Sequence, residues 1–194
     1  MHRFFMIPIL ALALALPAAA QAEEYSFDVD AKFVNISFIS EMDIEDILGT
    51  SNAISGSVDL AKGTFKLEVP VASLKTGIDM RDDHLQSEMW LDAKNHPNLV
   101  FEGTKIEDLG AGKYKLSGTF WARGTSKDLA VTVDLKKIPA AKASKFGLGE
   151  ADAIRVRGAF TLKLSDFGVQ IPGMAAAKVN DEWSVKISLF GKGK

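Results

Sequence analysis

Leu129-Ala130-Val131-Thr132-Val133-Asp134-Leu135 is the stretch on which the fold turns. Its large apolar side chains, Leu129, Val131, Val133 and Leu135, are separated by Ala130, Thr132 and Asp134. Successive side chains of a strand point to opposite faces, whereas a helix brings residues three and four apart together, so this spacing predicts a strand with one dry and one wet face. The same period recurs on either side. Upstream, Val34, Ile36 and Phe38 alternate with Asn35 and Ser37, and Val58 and Leu60 lead through Ala61-Lys62-Gly63 into Phe65, Leu67, Val69 and Val71, a hairpin pattern. Leu99 and Phe101 follow, then Tyr114, Leu116 and Phe120. Downstream come Val156, Phe160, Leu162 and Leu164, and finally Trp183, Val185, Ile187 and Leu189. With residues 25–29, this predicts about eight or nine strands. Lys66, Glu68, Lys115, Arg155, Arg157, Lys163 and Lys186 fall on the opposite, wet faces, and Gly110, Gly112, Gly147 and Gly149 mark turns.

An antiparallel sheet of that size must cover its apolar face, and closure into a barrel does so while removing both edges. Side chains just fill a tight eight-stranded barrel, whereas a slightly wider or flattened one holds a ligand. Periodicity alone leaves both open. The inward set combines bulky Phe and Trp with Val and Leu and has almost no polar group, so a cavity among them would favour a hydrocarbon ligand.

Residues 80–92 break the rhythm. Leu85, Met89 and Trp90 stand at i, i+4 and i+5, which predicts one short helix capped by Asp79, with Asp82 three residues on, and ending before Pro97. Residues 139–145 read as a linker between strands and 168–177 as a loop rich in small residues, with no internal repeat.

At the amino terminus, His2 and Arg3 precede an apolar run from Phe4 to Leu16, then Pro17 and small residues ending in Ala20-Gln21-Ala22. The run is shorter than a membrane span of about 20 residues, so residues 1–22 read as a cleavable signal peptide and 23–194 as one domain. Export places the expected product in the periplasm. Cleavage removes Arg3 alone among the charged residues and takes the formal net charge from −2 to −3. No basic cluster calls for nucleic acid. The chain has no cysteine, hence no disulfide and no thiol nucleophile, and stability rests on the apolar core.

Short motifs then appear in a definite order: Thr76-Gly77, Arg81-Asp82-Asp83-His84-Leu85, Trp90-Leu91-Asp92, His96-Pro97, Phe101-Glu102-Gly103, Gly118-Thr119-Phe120, Gly124-Thr125-Ser126-Lys127 and Leu164-Ser165-Asp166-Phe167-Gly168-Val169. In these the chain resembles the YceI-like, polyisoprenoid-binding periplasmic family over nearly the whole mature sequence. The resemblance implies a lipocalin-like extended antiparallel barrel with a helix near one end, and a tunnel for an isoprenoid chain such as a quinone tail. It implies no catalytic residue and no cofactor. One departure is that the family commonly carries a His-Ser pair before the first long strand and a His after it, where this chain has Ala31-Lys32 and Ser40-Glu41.

The alternation and the resemblance together nominate the tunnel lining. From the strands come Val34, Ile36, Phe38, Leu67, Phe101 and Phe120, then Val131, Val133, Phe160, Leu162 and Leu164, then Trp183 and Ile187. The helix adds Leu85 and Met89. Arg81 and His84 are expected at the rim, either at a head group or fastening the helix. His84 and His96 match no metal-ligand spacing. The expected partner is one long apolar lipid, a polyisoprenoid or quinone, held by a monomer or homodimer that neither inserts stably in a membrane nor binds nucleic acid. Two other readings stay open. A small outer-membrane barrel would turn the apolar face outward, though two Tyr and three Trp are few for aromatic girdles. An exported hydrolase would need a site without a recognisable nucleophile motif.

Overall fold

The computed structural model describes residues 23–194, and the expected signal peptide lies outside the described residues. Its strands are β1 (Glu24–Ser26), β2 (Val34–Ser40), β3 (Ile47–Ser51), β4 (Ser55–Asp59), β5 (Thr64–Pro70), β6 (Asn98–Gly110), β7 (Lys113–Ala122), β8 (Thr125–Ile138), β9 (Ala153–Lys163) and β10 (Glu182–Gly193). Two short helices join them, α1 (Asp79–Gln86) and α2 (Ala140–Ala143).

Every pairing is antiparallel, and eight strands close on themselves in the order β1-β4-β5-β6-β7-β8-β9-β10, with β10 returning to β1. The expected barrel is therefore the fold. Closure is made at the lower end, where Tyr25 pairs with both Gly193 and Val58. At the upper end β10 pairs instead with β2, and β2 with β3, whose Thr50 exchanges two backbone hydrogen bonds with Lys75 at 2.7 and 2.8 Å.

The faces follow the alternation. Val131 and Val133 are buried while Thr132 and Asp134 are exposed, and the wet face carries ion pairs such as Lys66 with Glu68 and Lys113 with Asp134. A lipid-facing barrel has the reverse polarity. The sheet coils tightly at a bulge in β6, where its register against β7 shifts between Glu102 and Lys105. Gly103 and Gly118 face each other there, and a Cβ on either would run into the carbonyl oxygen of Ser117 or Glu102. Only glycine lets the two backbones approach that closely.

Several local expectations are corrected. Strand β3 is not legible as an alternation because its inward positions are Ile47, Gly49 and Ser51, of which one alone is large and apolar. A side chain on Gly49 would fall inside the Phe38 ring that covers it. The supposed linker at 139–145 contains α2, with Ala143 fully buried in a small cluster with Leu148 and Ala153 on the outside of the lower barrel. Helix α1 is shorter than its pattern suggested. It starts after Ile78 with no side-chain cap, so Asp79 is not its cap. Asp82 instead accepts from the amide and hydroxyl of Thr76, both at 2.7 Å. The helix stops where the Ser87 hydroxyl and amide both turn back to the His84 carbonyl. Val71 and Leu164 each begin a short 3-10 turn instead of continuing a strand, the first behind Pro70 and the second where Asp181 accepts from the amide and hydroxyl of Ser165.

Candidate functional site

The loops at the upper end, together with α1, frame a mouth, and two apolar chambers follow it into the barrel. The mouth has a volume of about 400 Å³ and is lined by Phe38, Ile47, Thr76, Leu85 and Trp90 among others. Below it lies an upper chamber of about 130 Å³ walled by Ile36, Leu99, Phe120, Phe160, Leu162 and Ile187. Deeper still, a lower chamber of about 50 Å³ reaches Tyr114, Leu116, Val131 and Val133. Phe38 and Trp183 line both the mouth and the upper chamber, while Leu67, Phe101 and Phe160 line both inner chambers. The voids therefore form one line separated only by side chains.

Between mouth and upper chamber stands an aromatic partition. The rings of Phe38 and Trp183 stack at 4.9 Å with 6° between their planes. Gly49 backs the Phe38 ring, and the Trp183 indole donates to the Asn180 carbonyl at 3.0 Å. Farther in, Phe65, Phe101, Phe120 and Phe167 make a chain of tilted and edge-on ring contacts. Inward-facing Leu67, Phe101, Phe160, Leu162 and Ile187 are only partly buried although they point into the barrel. These side chains line the inner chambers, so the barrel encloses space between them.

The polar groups gather at the mouth. Arg81 reaches from α1 to Glu45 on the loop after β2 at 2.9 Å, so it fastens the helix while its side chain lines the mouth. His84, Lys178 and Thr76 line the same opening. Asp82 lies behind it, buried. Burial would push its carboxyl up, but the Thr76 amide and hydroxyl and the nearby Lys75 more than offset this and hold it below the usual carboxylate value. His96 sits elsewhere, 4.0 Å from Asp92 and packed under Gly124 at the β7–β8 tip, where a side chain would collide with its ring. The two histidines do not converge, and among the described residues no three metal-ligating side chains do.

Most of the nominated lining meets at these chambers. Ile36, Phe38, Leu67, Leu85, Phe101, Phe120, Val131, Val133, Phe160, Leu162, Trp183 and Ile187 each face one or more of them. Three do not. Val34 and Leu164 are buried in the core beside the chambers, Leu164 at the start of its 3-10 turn, and Met89 is 60% exposed because the chain leaves the helical path after Gln86. Sequence reading missed Met174, Lys178 and Val179 at the mouth, which come from a segment whose small residues carry no strand or helix period. The departure in the first hairpin is also explained locally. Ser40 is fully buried and accepts from the Asn180 amide at 2.8 Å, while the Glu41 carbonyl accepts from the Asn180 side chain, so this corner ties β2 to the loop before β10.

Known proteins resemble this chain in sequence and in fold. A UPF0312 protein of Vibrio parahaemolyticus is 28% identical over 173 residues, 86% of this chain and 88% of its own. A UPF0312 protein of Vibrio cholerae is 25% identical over 186 residues, 91% and 93% of the two chains. Among solved structures, Burkholderia cenocepacia BcnA superposes with a TM-score of 0.69 at 25% identity, covering 84% of this chain and 99% of that one. A polyisoprenoid binding domain from Saccharophagus degradans gives a TM-score of 0.66 at 16% identity over 90% and 100%, a likeness of fold. The model of the YceI-like domain matches residues 25–190, nearly all that the structure describes, and the chain belongs to that family.

Proposed function

We propose that this protein is a periplasmic carrier that holds one long isoprenoid-type chain, a polyisoprenoid or a quinone tail, along the axis of its barrel, and that it binds without catalysing a reaction. The observation that carries this reading is the line of apolar chambers joined through shared lining residues from an open mouth inward. The fold it shares with a polyisoprenoid binding domain supports it. So does the energetic scale, since each methylene moved from water into such a site contributes about 0.8 kcal/mol and a few isoprene units hold on the order of ten carbons. Ordering the tail and the mouth loops subtracts roughly 0.5 to 1.5 kcal/mol for each flexible group immobilised. The periplasmic assignment rests on the amino-terminal sequence alone.

Two measurements test the reading. Mass spectrometry of an organic extract of the protein purified from its exporting cell is expected to find a prenyl lipid in near-stoichiometric amount. Amino-terminal sequencing of the periplasmic fraction is expected to begin at Glu23. Lipid-free protein that also takes up no added prenol, or full-length chain recovered in the membrane fraction, would overturn the corresponding half.

A further inference from the structure

Strand β8 runs from Thr125 to Ile138 and β9 from Ala153 to Lys163, yet their ladder covers only Val133–Ile138 against Ala153–Gly158. Over the same height β8 is fully paired with β7, and β9 with β10. The upper barrel wall therefore has a gap between residues 125–132 and 159–163. The last rung is formed at Gly158, whose missing side chain makes room for the Val133 methyl that would otherwise lie 2.9 Å from its Cβ.

The gap is bounded. Above, Lys127 on β8 pairs with Asp166 at 3.2 Å, and Arg123 at the β7–β8 tip donates to the Gly168 carbonyl at 3.0 Å. A cavity of about 280 Å³ occupies the gap, with Lys127, Asp128 and Glu182 among its polar lining and Phe120, Leu162 and Phe167 among its apolar lining. Phe120 and Leu162 also wall the upper chamber, so one layer of side chains separates the outside from the tunnel at this point. Phe167 closes that layer edge-on against Phe120 at 5.5 Å.

Capacity gives the gap a use. A dry cavity of about 150 Å³ takes a ligand of benzene size. The two inner chambers, at about 130 and about 50 Å³, have little more room than that. A long chain that enters by the mouth soon exceeds them, and its far end must leave the barrel or force a fully laddered wall. Between upper β8 and upper β9 two long strands run side by side with no ladder between them.

We infer that this gap is a side window through which the far end of a long isoprenoid chain passes out of the upper chamber, so that the protein accepts chains longer than its interior. This rests on the carrier reading. The ion pair across its top is half exposed on both sides and of small energy, which suits a latch that opens when a chain passes.

The chain has no cysteine, so Lys127→Cys with Asp166→Cys places two unique thiols across the window, to be joined by a short bis-maleimide. Affinity is then measured for geranylgeraniol, a short prenol, and solanesol, a long one, before and after cross-linking. Cross-linking is expected to weaken solanesol binding about tenfold or more, the equivalent of about 1.4 kcal/mol, and to leave geranylgeraniol within about twofold. An equal change for both prenols, including none, would overturn the window and leave the carrier reading intact. Binding of neither prenol before cross-linking would overturn the carrier reading and the window with it.

Discussion

The two halves of β9 share a strand and an alternation but live in different environments. From Ala153 to Gly158 the strand is laddered to β8 on one side and β10 on the other, and Ile154 is fully buried. From 159 to 163 it is laddered to β10 alone, and inward-facing Phe160 and Leu162 keep surface toward the upper chamber. Ile154 in the lower half is packed protein, whereas Phe160 and Leu162 in the upper half wall a chamber. Burial measured against a neighbouring side chain stabilises the fold directly, whereas apolar surface left facing a void is stabilisation withheld until a ligand covers it. The pairing pattern around the barrel repeats the contrast, with closure through β1 below and loops, a hairpin and a gap above.

The sharpest test of this comparison uses the same kind of truncation in both halves. Ile154→Ala is expected to cost about 2 to 5 kcal/mol, read from the urea midpoint at unchanged slope, because a packed site cannot collapse fully around the loss. Leu162→Ala in lipid-free protein is expected to cost clearly less, since part of that side chain already faces a chamber. Equal losses would mean that both halves are packed alike.

Adding volume should reverse the ranking in a second measurement. Leu162→Trp is expected to lower lipid occupancy, scored by extraction, with little loss of stability. A solid core would instead lose about 1 to 3 kcal/mol to overpacking and have no ligand to shed.

The framework of the mouth gives a smaller effect with a pH signature. The carboxyl of Asp82 is held below its ordinary 3.8, so the stability it contributes is present above that value and is lost as pH falls through its lower folded value. Asp82→Asn is expected to cost about 1 to 3 kcal/mol at neutral pH, the range for leaving buried partners poorly satisfied, and to flatten the acid limb of a stability-versus-pH curve. A variant whose acid limb matched that of the parent would show that the Thr76 bonds do not hold the charge. Smallest of all, Arg81→Met should remove only about 0.2 to 1 kcal/mol, because its pair with Glu45 is partly exposed. A larger loss in thermal melts would make that pair the main fastening of α1.

Much of the barrel's inward face was legible in the chain because a strand's period puts every second residue on one face, and twelve of the nominated side chains line the mouth or the chambers. The failures have separate causes. Met89 continued a helical spacing that the backbone abandons at Ser87, where the hydroxyl and amide cap the His84 carbonyl. Strand β3 was invisible because its inward positions hold Gly49 and Ser51, selected by the ring of Phe38 and the hydroxyl of Ser73. Several motif residues also turn out to shape the scaffold: Gly103 and Gly118 let two strands touch, and Gly124 makes room for the His96 ring.

By itself, then, the sequence determined that the chain forms strands with one dry face and one wet face, that the dry face is large enough to demand closure, and that nothing covalent holds it shut. Only the tertiary structure decided which way that face turns, that the interior is a line of chambers, and that the ladder between β8 and β9 stops at Gly158. The reason is physical. Alternation is a local property of a strand, while the space left inside a barrel and the rungs missing from its wall depend on how distant strands are staggered against one another, which no single segment encodes.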